Sequence, residues 1–168
     1  MGLSFHYSGR IAQLQQLNNL ITEVEDIVKV FNWKYHIYER QFPENKFGEI
    51  DYNDKIYGIS FTPPESETIS ISFLSNGRMS NPEHLAFYGK TETRPESLFL
   101  YTLSVKTQYA GPETHQIIMQ LFQYVSNKYL TCFNMKEEGG YWESSNIDVL
   151  NSNFAKYNSL INSFVSAV

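Results

Sequence analysis

An abrupt change of period at Asn32 constrains this chain more than any other feature. Before it, Leu14, Leu17, Ile21, Val24, Val28 and Phe31 recur at three- and four-residue steps. Leu20 and Ile27 widen the stripe, while Gln13, Gln16, Asn19, Glu23, Asp26 and Lys29 lie opposite. That spacing predicts a helix with one face in a core. After Asn32 the chain runs in aromatic and β-branched segments, residues 33–42, 55–62 and 68–74, which suit strands. A one-faced helix followed by strands needs a sheet to cover, so the expected class is α+β.

The rest of the chain extends this pattern. Pro63-Pro64 separates two strands because proline cannot donate to a ladder. Ile69, Ile71 and Phe73 alternate with Ser70 and Ser72, the period of a strand with unlike faces. Asn76-Gly77 predicts a type I′ hairpin turn, with room for a short further strand after it. Residues 97–106 read as a central strand, and Pro112-Glu113 opens a helix with the stripe Ile118, Leu121, Phe122, Val125 and Tyr129. Residues 131–137 read as a strand and Glu138-Gly139-Gly140 as a turn. The last helix follows the cap-like Ser145-Asn146-Ile147-Asp148. Residues 43–54 and 80–96 read as loops. The expected order is β-α-β-β-β-β-α-β-α in a single domain over residues 1–168, with one mainly antiparallel sheet and its helices packed on one face.

In their order, the first seven elements resemble the TATA-binding-protein-like fold. The resemblance is one of topology and brings neither residues nor a DNA function. Leu3-Ser4-Phe5-His6-Tyr7-Ser8-Gly9-Arg10, Tyr57-Gly58-Ile59-Ser60-Phe61-Thr62-Pro63-Pro64 and Lys106-Thr107-Gln108-Tyr109-Ala110-Gly111-Pro112-Glu113 are similar to segments of an uncharacterised bacterial protein family, which implies no assigned activity.

Composition narrows the partners. With 168 residues, 42% hydrophobic and 18% charged, the chain can bury a core and is too apolar for disorder. A formal charge of −5, with lysines and arginines scattered singly, argues against nucleic acid as a partner. There is no apolar run of membrane-spanning length, so no membrane association is expected. The lone Cys132 cannot form an intramolecular disulfide, and the N-terminus lacks the order of a secretory signal, so a cytoplasmic setting is expected. Met1-Gly2 is followed by His6 where a myristoylation signal has Ser or Thr.

Candidate chemistry is sparse. His6, His36, His84 and His115 fall in different elements and form no short-spaced metal pair, so they read as hydrogen-bonded structural residues and no cofactor is expected. Cys132 reads as a small buried hydrophobe. The loop with Glu138, Tyr141, Trp142 and Glu143 offers carboxylates, freed backbone and aromatic faces for a ligand rim or protein-binding edge, or is an ordinary solvated turn. The strand with His36, Tyr38 and Arg40 on one face could line a polar groove, or be the open face of a sheet. Arg10 and Arg78 could clamp an anion through their forked donors, or serve as ion-pair partners at turns.

Three readings of function stay open. The leading one is a non-enzymatic domain that binds a small molecule or a protein segment on an aromatic-rich sheet face or cleft. A second is an enzyme in which Glu137, Glu138 or Glu143 acts with His36 or Tyr141 as acid and base. The third is a structural subunit that forms a homodimer through its sheet.

Overall fold

The computed structural model of the chain describes residues 3–90 and 95–167. The fold is α+β, with helices and two small antiparallel sheets. Strands β1 (Ser4–Ile11), β5 (Leu103–Lys106) and β6 (Leu130–Glu137) form the first sheet in the order β5-β1-β6. The second has the order β2-β3-β4, from Lys34–Ile37, Tyr57–Thr62 and Ile69–Phe73. The expected single sheet is therefore divided.

The segment after the Asn76-Gly77 turn stitches the two sheets together. Met79 bridges back to Phe73 of β4, while Ile11 donates to Gly77 O at 3.0 Å and Met79 donates to Gly9 O at 2.9 Å. The turn itself is not type I′, because only Gly77 takes a positive φ, of 90°. Gly77 donates to Leu74 O and Leu74 donates to Arg78 O, both at 2.9 Å, which is a three-residue loop with glycine in the left-handed position. The Asn76 side chain holds this geometry. Its Oδ1 accepts from the Arg78 N–H (3.0 Å) and its Nδ2 donates to the Tyr101 hydroxyl (2.9 Å).

The helices pack against the inner faces. Helix α1 (Leu17–Val30) buries Leu17, Leu20, Ile21, Val24 and Val28, as its stripe requires, whereas Leu14 and Phe31 at the ends of the stripe are exposed. Helix α3 (Pro112–Tyr129) sets Phe122 against Phe5 and Tyr7 of β1, at ring-centroid distances of 5.6 and 4.8 Å. Tyr7 joins the two halves by donating its hydroxyl to Ser70 O at 2.6 Å. Burial raises the phenol well above its ordinary value, so it remains a donor. One hydrophobic cluster thus runs through both sheets, α1, α3 and the start of the last helix. The strand aromatics expected to form a binding face are largely core: Phe5, Tyr7, Phe61, Phe73 and Tyr101 are all buried.

Several elements differ from their sequence expectation for local reasons. Residues 97–101 coil into turns after Pro95, with Leu98 and Phe99 donating to Pro95 O, so β5 is shorter than expected. Within the loop expected over 80–96, Asn81 caps a short helix α2 (Pro82–Phe87) by accepting from the His84 N–H at 2.7 Å. Residues 91–94 of that loop lie outside the described residues. Beyond β6, a one-turn helix α4 (Tyr141–Ser144) precedes α5 (Ile147–Ala167). Gly58 in β3 has φ of 132°, and a Cβ there would sit 2.5 Å from Ile71 O, so glycine lets β3 and β4 approach. Among the described residues, no helix is long and apolar enough to cross a membrane.

Candidate functional site

Alternation along the first sheet sorts its chemistry. Leu3, Phe5, Tyr7, Leu103, Val105 and Met135 turn inward and are buried. The opposite face carries His6, Ser8 and Arg10 of β1, Ser104 and Lys106 of β5, and Asn134 and Lys136 of β6, and it stays open to solvent. His6 Nδ1 is 2.6 Å from Ser104 Oγ, which confirms that the two share this face. This open face is polar, not aromatic.

At one end of it the stitching segment places Arg78 directly opposite Arg10 in an antiparallel bridge. The flanking bonds, Ile11 N to Gly77 O and Met79 N to Gly9 O, make this a non-hydrogen-bonded pair, the kind in which facing side chains come closest. Two like charges directly opposite are destabilising. Neither arginine has a carboxylate in ion-pair range among the described residues. Arg78 is nonetheless held in place, its guanidinium carbon 3.4 Å from the centre of the Tyr101 ring. Tyr101 is only 2% exposed. Burial and the nearby charge of Glu96 push its phenol up, against the Asn76 hydrogen bond and the two arginines, so it stays neutral.

A cavity of about 330 Å³ opens here, lined by Ser8, Gly9, Arg10, Arg78, Tyr101 and Cys132. Cys132 is exposed with φ of 53°, in contrast to the buried strand residue expected. The reason is a β-bulge: pairing passes from Ser8 with Asn134 to Arg10 with Thr131, so Cys132 and Phe133 together oppose Gly9.

The residues expected to form a site fall into separate places. His36 and Tyr38 line a shallow hollow of about 400 Å³ with Glu39, Lys55 and Ile56, and their ring centroids are 4.6 Å apart. Arg40 points elsewhere, donating to Asn18 Oδ1 at 3.0 Å. Glu138 is exposed and accepts from the Ser4 N–H at 3.0 Å. Tyr141 is buried, its hydroxyl accepting from Gln116 and Gln120 at 3.2 Å each. Trp142 is half-buried against Phe133, and Glu143 is exposed. No hydrogen bond, ion pair or ring contact among the described residues joins the β2 group to the α4 group. His6 and His36 stand on strands of different sheets.

Glu137 does find an acid–base partner, though neither His36 nor Tyr141. Its Oε1 is 2.5 Å from His115 Nε2, and His115 Nδ1 is 2.6 Å from Thr107 Oγ1. The second carboxylate oxygen accepts from the Trp142 N–H at 3.0 Å. Burial opposes ionisation of Glu137, but the bonds from His115, Trp142 and Gly139 outweigh it and hold the carboxyl below its usual range. The side chains of His115 and Glu137 are 0% and 1% exposed, so this relay is sealed and ties the segment just after β5 to α3, β6 and α4. Sequence reasoning missed it because Thr107, His115 and Glu137 belong to three separate segments. Among the described residues no group of three or more His, Cys, Asp or Glu is placed to hold a metal ion.

Compared with protein-family models, curated proteins and solved structures, the chain matches none, so the site is read from its own geometry.

Proposed function

We propose that this chain is a binding domain for a small anionic molecule, received in the cavity between Arg10 and Arg78. The observation that carries the reading is the facing arginine pair: like charges set opposite each other in a cavity, with no carboxylate in ion-pair range among the described residues. A fold tolerates such a cost where a ligand relieves it. The cavity is at the small end of the range for ligand sites. The acid–base relay that the fold assembles is closed to solvent, which favours binding over catalysis. A cytoplasmic setting, the TATA-binding-protein-like topology and kinship with the uncharacterised bacterial family belong to the same proposal.

Calorimetric titration with inorganic phosphate at low ionic strength tests it. Arg10→Ala and Arg78→Ala are each expected to weaken binding at least tenfold, because each removes a charge-assisted donor fork. Binding that is absent in the unaltered protein, or indifferent to both substitutions, refutes the reading.

A further inference from the structure

Resting on the anion site just described, we infer that its ligand is a phosphate monoester carried on a hydroxyl-rich body, of the sugar-phosphate class. The head group follows from the two forks. One guanidinium already satisfies both oxygens of a carboxylate, whereas a phosphate monoester has three terminal oxygens and close to two charges, enough to engage Arg10 and Arg78 together.

The body follows from what continues along the open face. One step from the arginines, Ser8 and Asn134 stand opposite each other across β1 and β6. Neither side chain makes a hydrogen bond within the described protein, so both hydroxyl and amide are available. The next row, about 7 Å on, is His6 with Ser104, whose shared bond at Nδ1 leaves the other ring nitrogen unengaged. At the far end the cations Lys106 and Lys136 are accompanied by Glu67, which accepts from the Lys106 N–H at 2.8 Å, and by Glu138. A second anionic group therefore finds no net positive charge there. The alternating donors and acceptors suit neutral hydroxyls.

The same face argues against other phosphate esters. A nucleobase or aryl ester needs an aromatic platform. Tyr101, the aromatic residue of the cavity, is buried and has Arg78 over its ring. An alkyl ester needs an apolar wall, and the outward residues of these strands are Ser, His, Thr, Asn, Lys and Arg, with the thiol of Cys132 beside the cavity too small to form one.

Calorimetry on the full chain with five probes decides the matter: inorganic phosphate, a hexose monophosphate, the unphosphorylated hexose, phenyl phosphate and butyl phosphate. The hexose monophosphate is expected to bind about tenfold more tightly than inorganic phosphate, the worth of one or two hydrogen bonds. Phenyl and butyl phosphate should gain nothing over inorganic phosphate, and the bare hexose should not bind measurably. The Asn134→Ala variant, at a residue that does not line the anion cavity, should lower the hexose monophosphate towards the level of inorganic phosphate while leaving inorganic phosphate itself unchanged. Equal affinities for all four anions, or a preference for the phenyl or butyl ester, overturn the sugar-phosphate class and leave the anion site standing. Failure of every phosphate to bind overturns both.

Discussion

The sealed relay of Thr107, His115 and Glu137 and the open pair of Arg10 and Arg78 are both assembled from distant segments, yet they are opposite in design. In the relay, every charged or polar contact is answered: Glu137 receives His115 and the Trp142 N–H, and His115 receives Thr107. In the arginine pair, two cations face each other with one aromatic ring as support. A buried and satisfied network stabilises the fold, whereas a half-open, unsatisfied one costs stability and is available to a partner. The difference predicts opposite responses to substitution at the two places.

The largest effect is expected at the relay. Glu137→Ala or His115→Ala leaves a buried polar partner stranded and should cost about 3 to 5 kcal/mol in urea denaturation. If either costs no more than a surface change, the relay is not the fixture the geometry implies. Next comes acid. Because Glu137 is held below its usual range in the folded chain, the unfolded chain binds more protons as the medium acidifies. Its contribution is complete above the ordinary glutamate value of about 4.3 and fades as pH falls through the lower folded value. Denaturation midpoints should therefore drop more steeply below that value in the parent than in Glu137→Gln. Glu23 keeps part of the slope in both proteins, since bonds from Lys128, Tyr129 and Tyr124 outweigh its burial cost.

The smallest effect is expected at the arginines, with the opposite sign. Arg10→Thr removes a like-charge confrontation and puts a β-branched residue on the strand, so stability should rise by about 0.2 to 1 kcal/mol even as phosphate binding is lost. A destabilised Arg10→Thr protein would mean the pair serves the fold and not a ligand.

Much of the architecture was legible in the residues. Leu17, Leu20, Ile21, Val24 and Val28 of the α1 stripe are buried as the spacing requires, and Ile118, Phe122 and Val125 of α3 likewise reach the core. Period and propensity are local, so a linear reading recovers them. What it missed required distant contacts. Residues 97–106 have strand composition throughout, yet Leu100 and Tyr101 join a small cluster with Ile56 and Leu74 outside the ladder. The aromatic strands suggested a binding face, but the helices and the second sheet consumed those rings as core. Of the residues named for a site, His36 and Tyr38 share a hollow while Tyr141 went into the interior. Arg10 and Arg78 were each visible after a glycine, but nothing in the linear order says that they meet.

By itself, then, the sequence determined the α+β class, the principal helices and strands, and which faces are apolar, because side-chain period and turn chemistry act over a few residues. Only the tertiary structure decided that the sheet divides in two, that the Asn76-Gly77 loop stitches the halves, and that this stitch sets one arginine against another beside Tyr101. Those outcomes depend on strand register and on which edge meets which, and pairings between segments some 70 residues apart leave no periodic trace in either one.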